Sequence, residues 1–193
     1  MMRTPKILLF LFISCLCFGC QSSLRRESRI EKQDDVYVLS FANLSFSVSA
    51  GKGGRIVSFK CEDRELLTSD SVHSKYYGAT FWLSPQSEYW PQYQCVDELP
   101  YQAEIDKQIL RLVSPPDSIS GVSVTKEFSI SERDSSILIH YSVRNVSRQL
   151  KRLAPWDVTR VYGGLSFFPV GETDRMNKSD VTGGDEDKGM VWV

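Results

Sequence analysis

The stretch Ser136-Ile137-Leu138-Ile139-His140-Tyr141-Ser142-Val143-Arg144 decides the fold class. Its apolar residues recur at every second position, so Ile137, Ile139, Tyr141 and Val143 share one face and Leu138, His140, Ser142 and Arg144 the other. That is the period of a half-buried strand. The same period runs through Leu44, Phe46 and Val48. It also marks Val122 to Ile130, with Val122 and Val124 in phase and then, past a phase slip, Phe128 and Ile130. Turn signals separate the strands: Ala50-Gly51-Lys52-Gly53-Gly54, Ser114-Pro115-Pro116-Asp117, Ser131-Glu132-Arg133-Asp134, Asn145-Val146-Ser147-Arg148 and Gly163-Gly164. No long helical stripe interrupts them. The expectation is an all-β, antiparallel fold of roughly ten short strands.

The chain has 193 residues, 41% of them hydrophobic and 24% charged, which is enough apolar material for one packed core. This balance excludes collagen-like and wholly disordered chains. A formal net charge of -1 argues against a general nucleic-acid binder. Two histidines do not signal a metal centre, and neither a metal nor a cofactor is expected.

At the N-terminus, Arg3 and Lys6 precede an apolar run from Ile7 to Phe18 that ends at Gly19-Cys20. That is the layout of a signal peptide, and a run of this length makes a helix of only about 18 Å, too short to span a bilayer. The ending Leu16-Cys17-Phe18-Gly19-Cys20 is similar to a bacterial lipoprotein box, with Cys20 as the lipidated residue; a second reading keeps the signal peptide without the lipid, cleaved nearby by the ordinary signal peptidase. Residues 1–19 are therefore read as a leader, 20–35 as a polar tether and 36–193 as the folded domain. The implied location is the cell envelope, with a lipid anchor holding the protein on a membrane and facing the periplasm or the cell surface. Removing Arg3 and Lys6 from 23 basic side chains leaves 21 against 24 acidic, a net of -3. Cys61 and Cys95 are the pair left in the folded region, either bonded in an oxidising compartment or present as two thiols.

Near the other end, 176–189 is polar and glycine-rich and reads as a long surface loop. Met190-Val191-Trp192-Val193 then begins a strand. Such an ending is either a strand tucked into a sheet or a domain cut short, and the expectation is a domain incomplete at its C-terminus.

Four segments in order resemble the galactose mutarotase-like superfamily: Gly53-Gly54-Arg55-Ile56-Val57-Ser58-Phe59, Tyr77-Gly78-Ala79-Thr80-Phe81-Trp82-Leu83-Ser84-Pro85-Gln86, Lys126-Glu127-Phe128-Ser129-Ile130, and Ile139 to Ser147. Ala154-Pro155-Trp156-Asp157-Val158-Thr159-Arg160, followed by Gly163-Gly164-Leu165-Ser166-Phe167-Phe168-Pro169, resembles an uncharacterised bacterial group within it. The resemblance implies an antiparallel supersandwich with an open cleft, usually for sugars. Epimerases of that superfamily use a central histidine as acid and a late carboxylate as base. The segment that should carry the histidine has Thr159 and Arg160 instead, and an arginine does not release a proton in the working range.

What the residues offer is a means of holding carbohydrate. Trp82, Trp90 and Trp156, with Tyr89 and Tyr93, present flat apolar faces, Arg160 can fork two hydrogen bonds to hydroxyls or a carboxylate, and Gln86 can add a polar contact. Trp82 and Trp156 fit a core position equally well, and Asp157 with Arg160 fits an ordinary ion pair. Two further readings remain: a sugar-modifying enzyme, epimerase-like or lyase-like, with His73 and Asp157 as its acid and base, and a purely structural envelope subunit.

Overall fold

The computed structural model describes residues 27–164, 167–169, 185–187 and 190–192. The leader and Cys20 lie outside them. Period-two patterning becomes antiparallel sheet throughout. The first sheet has seven strands: β1 (Arg29–Gln33), β2 (Val36–Phe41), β3 (Leu44–Ser49), β4 (Arg55–Cys61), β5 (Arg64–Glu65), β6 (Ala79–Ser84) and β11 (Ala154–Thr159). Its order is β1-β2-β3-β4-β6-β11, with β5 paired to β4. The second sheet is β10-β9-β8-β7, formed by β7 (Gln102–Asp106), β8 (Ile109–Val113), β9 (Val122–Ser131) and β10 (Ser136–Asn145). Short strands β12 (Phe167–Pro169), β13 (Asp185–Asp187) and β14 (Met190–Trp192) pair as β12-β14-β13. The two larger sheets pack face to face. Leu39, Phe46, Val48, Phe81 and Leu83 from one meet Leu110, Leu112, Val122, Val124 and Phe128 from the other. Phe46 and Phe128 touch across the interface with centroids 5.9 Å apart. Burying each such side chain contributes about 1.5–3 kcal/mol.

Three expectations need correction. The tether does not run to residue 35, because Arg29–Gln33 pairs along the whole of β2. Ile30 packs against the core, while Arg29, Glu31 and Lys32 give this edge strand the charges that discourage pairing with another chain. Within 176–189, Asp185–Asp187 forms strand β13. There is also no phase slip in β9. Val122, Val124, Phe128 and Ile130 keep one parity, and the position that breaks the apolar pattern is Lys126, inward-facing and only 1% exposed.

Lys126 is accommodated by local chemistry. Its Nζ donates to the Gly53 carbonyl at 2.6 Å. It also lies 5.5, 5.2 and 6.0 Å from the ring centroids of Phe81, Tyr101 and Tyr141. Burial still lowers its pKa to about 8, against the opposing pull of Asp97 and Asp157. Cys61 and Cys95 are free thiols. Among the described residues no helix is long and apolar enough to cross a membrane.

Candidate functional site

The site is built on the ladder between β6 and β11. Its register sets Trp156 opposite Trp82, Val158 opposite Thr80 and Asp157 opposite Phe81. Because side chains alternate across a strand, Thr80, Trp82, Trp156 and Val158 share the face that points away from the core. Arg160 continues that parity, and its Nη1 donates to Thr80 Oγ1 at 3.1 Å and to the Val158 carbonyl at 3.2 Å.

Three tryptophans converge here. Trp82 meets Trp156 edge to face at 5.3 Å and 77°, and Trp90 at 5.1 Å and 66°. Trp90 follows the four-residue helix α1 (Gln86–Tyr89) and is 46% exposed. The Arg160 guanidinium lies 5.2 Å from the Trp82 centroid and 5.7 Å from that of Tyr76. With 6% exposure, Trp82 is the floor of this group rather than an open stacking face. Trp90 and Trp156 remain as walls.

The floor is fixed from behind by Asp97, which closes the short helix α2 (Gln94–Asp97). Its Oδ2 accepts from Trp82 Nε1 at 3.2 Å and from Arg55 Nη2 at 2.9 Å. Arg55 Nη1 donates to the Lys75 carbonyl at 2.7 Å, and its guanidinium covers the Tyr77 ring. Burial pushes the Asp97 carboxyl up, opposed by Arg55 and the Trp82 indole. Asp97 Oδ1 and Arg55 Nε are buried without a partner. The backbone of Arg160 is held too: its N–H donates to the Gly78 carbonyl at 3.0 Å, and its carbonyl accepts from Thr68 at 2.9 Å. Gly78 has φ +63°, and a Cβ there would collide with the Ile56 carbonyl oxygen, so this crossing of β4 and β6 requires glycine.

The remaining sequence-predicted residues fall elsewhere. Gln86 is exposed at the start of α1. Tyr89 is buried and donates to the Arg152 carbonyl. Tyr93 is packed against the core. His73 Nδ1 accepts from the N–H groups of Lys75 and Tyr76 at 3.1 and 3.0 Å, and its ring lies 4.9 Å from Tyr76, beside the tryptophan group. Asp157 projects on the other face, where it accepts from Tyr141 Oη at 2.9 Å and Thr159 Oγ1 at 3.0 Å. His73 and Asp157 therefore do not flank a common volume, as an acid and base acting on one sugar must. Asp157 and Arg160 form no ion pair either.

Tyr76, Thr80, Asp97 and Gln92 are members that sequence reasoning missed. Gln92 reads the Leu83 backbone twice, accepting its N–H at 2.9 Å and donating to its carbonyl at 3.0 Å, and so ties the Trp90 loop to β6. Trp90 stands between two recesses. One, about 30 Å³, is lined by Tyr76, Trp82 and Asp97; the other, about 370 Å³, by Tyr93, Cys95, Asp117 and Ile119. Among the described residues no group of three or more His, Cys, Asp or Glu converges as metal ligands do. No family model matches the chain, and no curated protein matches it.

Proposed function

We propose that the outer face of the β6–β11 ladder binds carbohydrate, on a domain of the galactose mutarotase type carried by a lipid-anchored protein of the bacterial cell envelope. The observation that carries the reading is the convergence of Trp90, Trp156 and Arg160 around a buried, Asp97-bonded Trp82 on a face turned away from the core. Sugars present C–H surfaces that stack on indole faces and hydroxyls that need charged or amide partners, and this group supplies both. The anchor rests on Gly19-Cys20 and its preceding apolar run. The domain type rests on the ordered segments from Gly53 to Pro169.

Intrinsic fluorescence titration against a panel of oligosaccharides tests the proposal. Saturable quenching is expected, and Trp90→Ala or Trp156→Ala should weaken it at least tenfold while leaving the far-ultraviolet spectrum unchanged. A panel without saturable change, or unaltered affinity in both variants, refutes it.

A further inference from the structure

Arg160 and Arg55 approach the same tryptophan, yet among the described residues only Arg55 has its charge answered. Arg55 pairs with Asp97 at 2.9 Å, donates again to the Lys75 carbonyl, and has a sealed Nε. Among the described residues Arg160 commits only Nη1, to Thr80 Oγ1 and the Val158 carbonyl. Guanidinium carries five N–H donors, and the edge formed by Nε and Nη2 is the side-on fork that matches the two oxygens of a carboxylate. Among the described residues that fork has no partner, and no carboxylate lies within ion-pair distance of Arg160, whose side chain is half-buried where Arg55 is sealed. Asp97, the carboxylate whose charge acts most on Arg160, already serves Arg55 and Trp82. The guanidinium is held in place by its bonds to the ladder on one side and by the rings of Trp82 and Tyr76 on the other.

We infer that the ligand is an acidic saccharide, with a uronate-type carboxylate seated on the Nε/Nη2 edge of Arg160 and its sugar ring against Trp156 and Trp90. The inference rests on the carbohydrate reading and narrows it to a substrate class. A neutral sugar would leave a partly desolvated cation without a counter-charge. A carboxylate supplies that charge in the geometry the fork is already held in. Thr80 and Val158 are positioning groups: they orient the fork.

Calorimetric titration of the intact protein with oligomers of glucuronate, galacturonate and mannuronate, each beside its carboxyl-reduced neutral form, tests this. At least one acidic form should bind about tenfold or more tightly than its reduced counterpart, as a charge-assisted bidentate contact would give. That preference should shrink as salt is raised. Arg160→Gln should abolish the preference, and Arg160→Lys, which keeps charge but not the fork, should restore only part of it. Saturable binding with no acidic preference in the wild-type protein overturns this inference while the carbohydrate reading stands. An undiminished preference in folded Arg160→Gln also overturns it. If neither form of any oligomer binds, and the fluorescence panel is silent as well, both fail together.

Discussion

Lys126 offers a prediction whose size follows from its surroundings. Its ammonium sits inside the sandwich, one hydrogen bond from the Gly53 carbonyl and within reach of three aromatic rings, and burial depresses its pKa from 10.5 to about 8. A cation whose folded pKa lies below its unfolded value opposes folding while it is charged. That opposition is complete below about pH 8 and fades as the pH rises to 10.5, because in this window the unfolded chain holds the proton more firmly. A depression of this size corresponds to roughly 3 kcal/mol, most of which is relieved between pH 7 and pH 10. The perturbation is Lys126→Met, which fills similar volume without the charge. At pH 7 the gain from removing the buried cation is largely offset by leaving the Gly53 carbonyl unpaired, which costs about 1–3 kcal/mol. As the pH rises to 10, wild type should gain roughly 2–3 kcal/mol on the variant. Tyr101, Tyr141 and Cys95, all held above their usual pKa chiefly by burial, push stability down at high pH in both proteins. Urea unfolding at intervals between pH 7 and 10 measures the difference directly. A difference that stays flat across that range would refute the buried-charge argument.

Gly78→Ala should destabilise the domain by about 2 kcal/mol or more in the same assay, since it combines a left-handed φ with a collision against the Ile56 carbonyl. Asp97→Asn should cost about 3–5 kcal/mol by stranding the buried Arg55 charge, and the double variant Arg55→Met/Asp97→Asn should recover part of that loss. Trp90→Ala, at a half-exposed position, should change unfolding free energy by no more than about 1 kcal/mol, so its effect on ligand titration can be separated from folding. Cys95, buried and with its thiol pKa raised by burial, should react with a thiol reagent only after denaturation, whereas Cys61 should react in the native protein.

The sandwich was legible because inward positions repeat by parity. Ile137, Tyr141 and Val143 on β10 pack against the core as the alternation predicts. Lys126 was misread because hydropathy alone cannot represent a lysine whose stem lines the core while its ammonium finds a carbonyl and three rings. The strand at Arg29–Gln33 was hidden for a related reason: an edge strand needs only Ile30 inward, and its charges resemble those of a tether. At the site, Trp156 and Arg160 were legible as residues, but their neighbours were not. Trp82 meets Trp156 through cross-strand register, which no local pattern announces. Asp97 and Arg55 are brought together over 42 positions. Parity did contain one usable signal, since Trp156, Val158 and Arg160 are even and Asp157 is odd, which places that carboxylate on the opposite face.

The indole N–H signals of the four tryptophans give the most direct test of carbohydrate binding at the ladder face. In a two-dimensional nitrogen–proton spectrum, titration with a binding oligosaccharide should move the Trp90 and Trp156 signals together, along one saturable curve. The Trp82 signal should move less, because its N–H is held by Asp97. Signals of Trp90 and Trp156 that stay in place throughout a titration in which the sugar binds elsewhere on the protein would contradict the account.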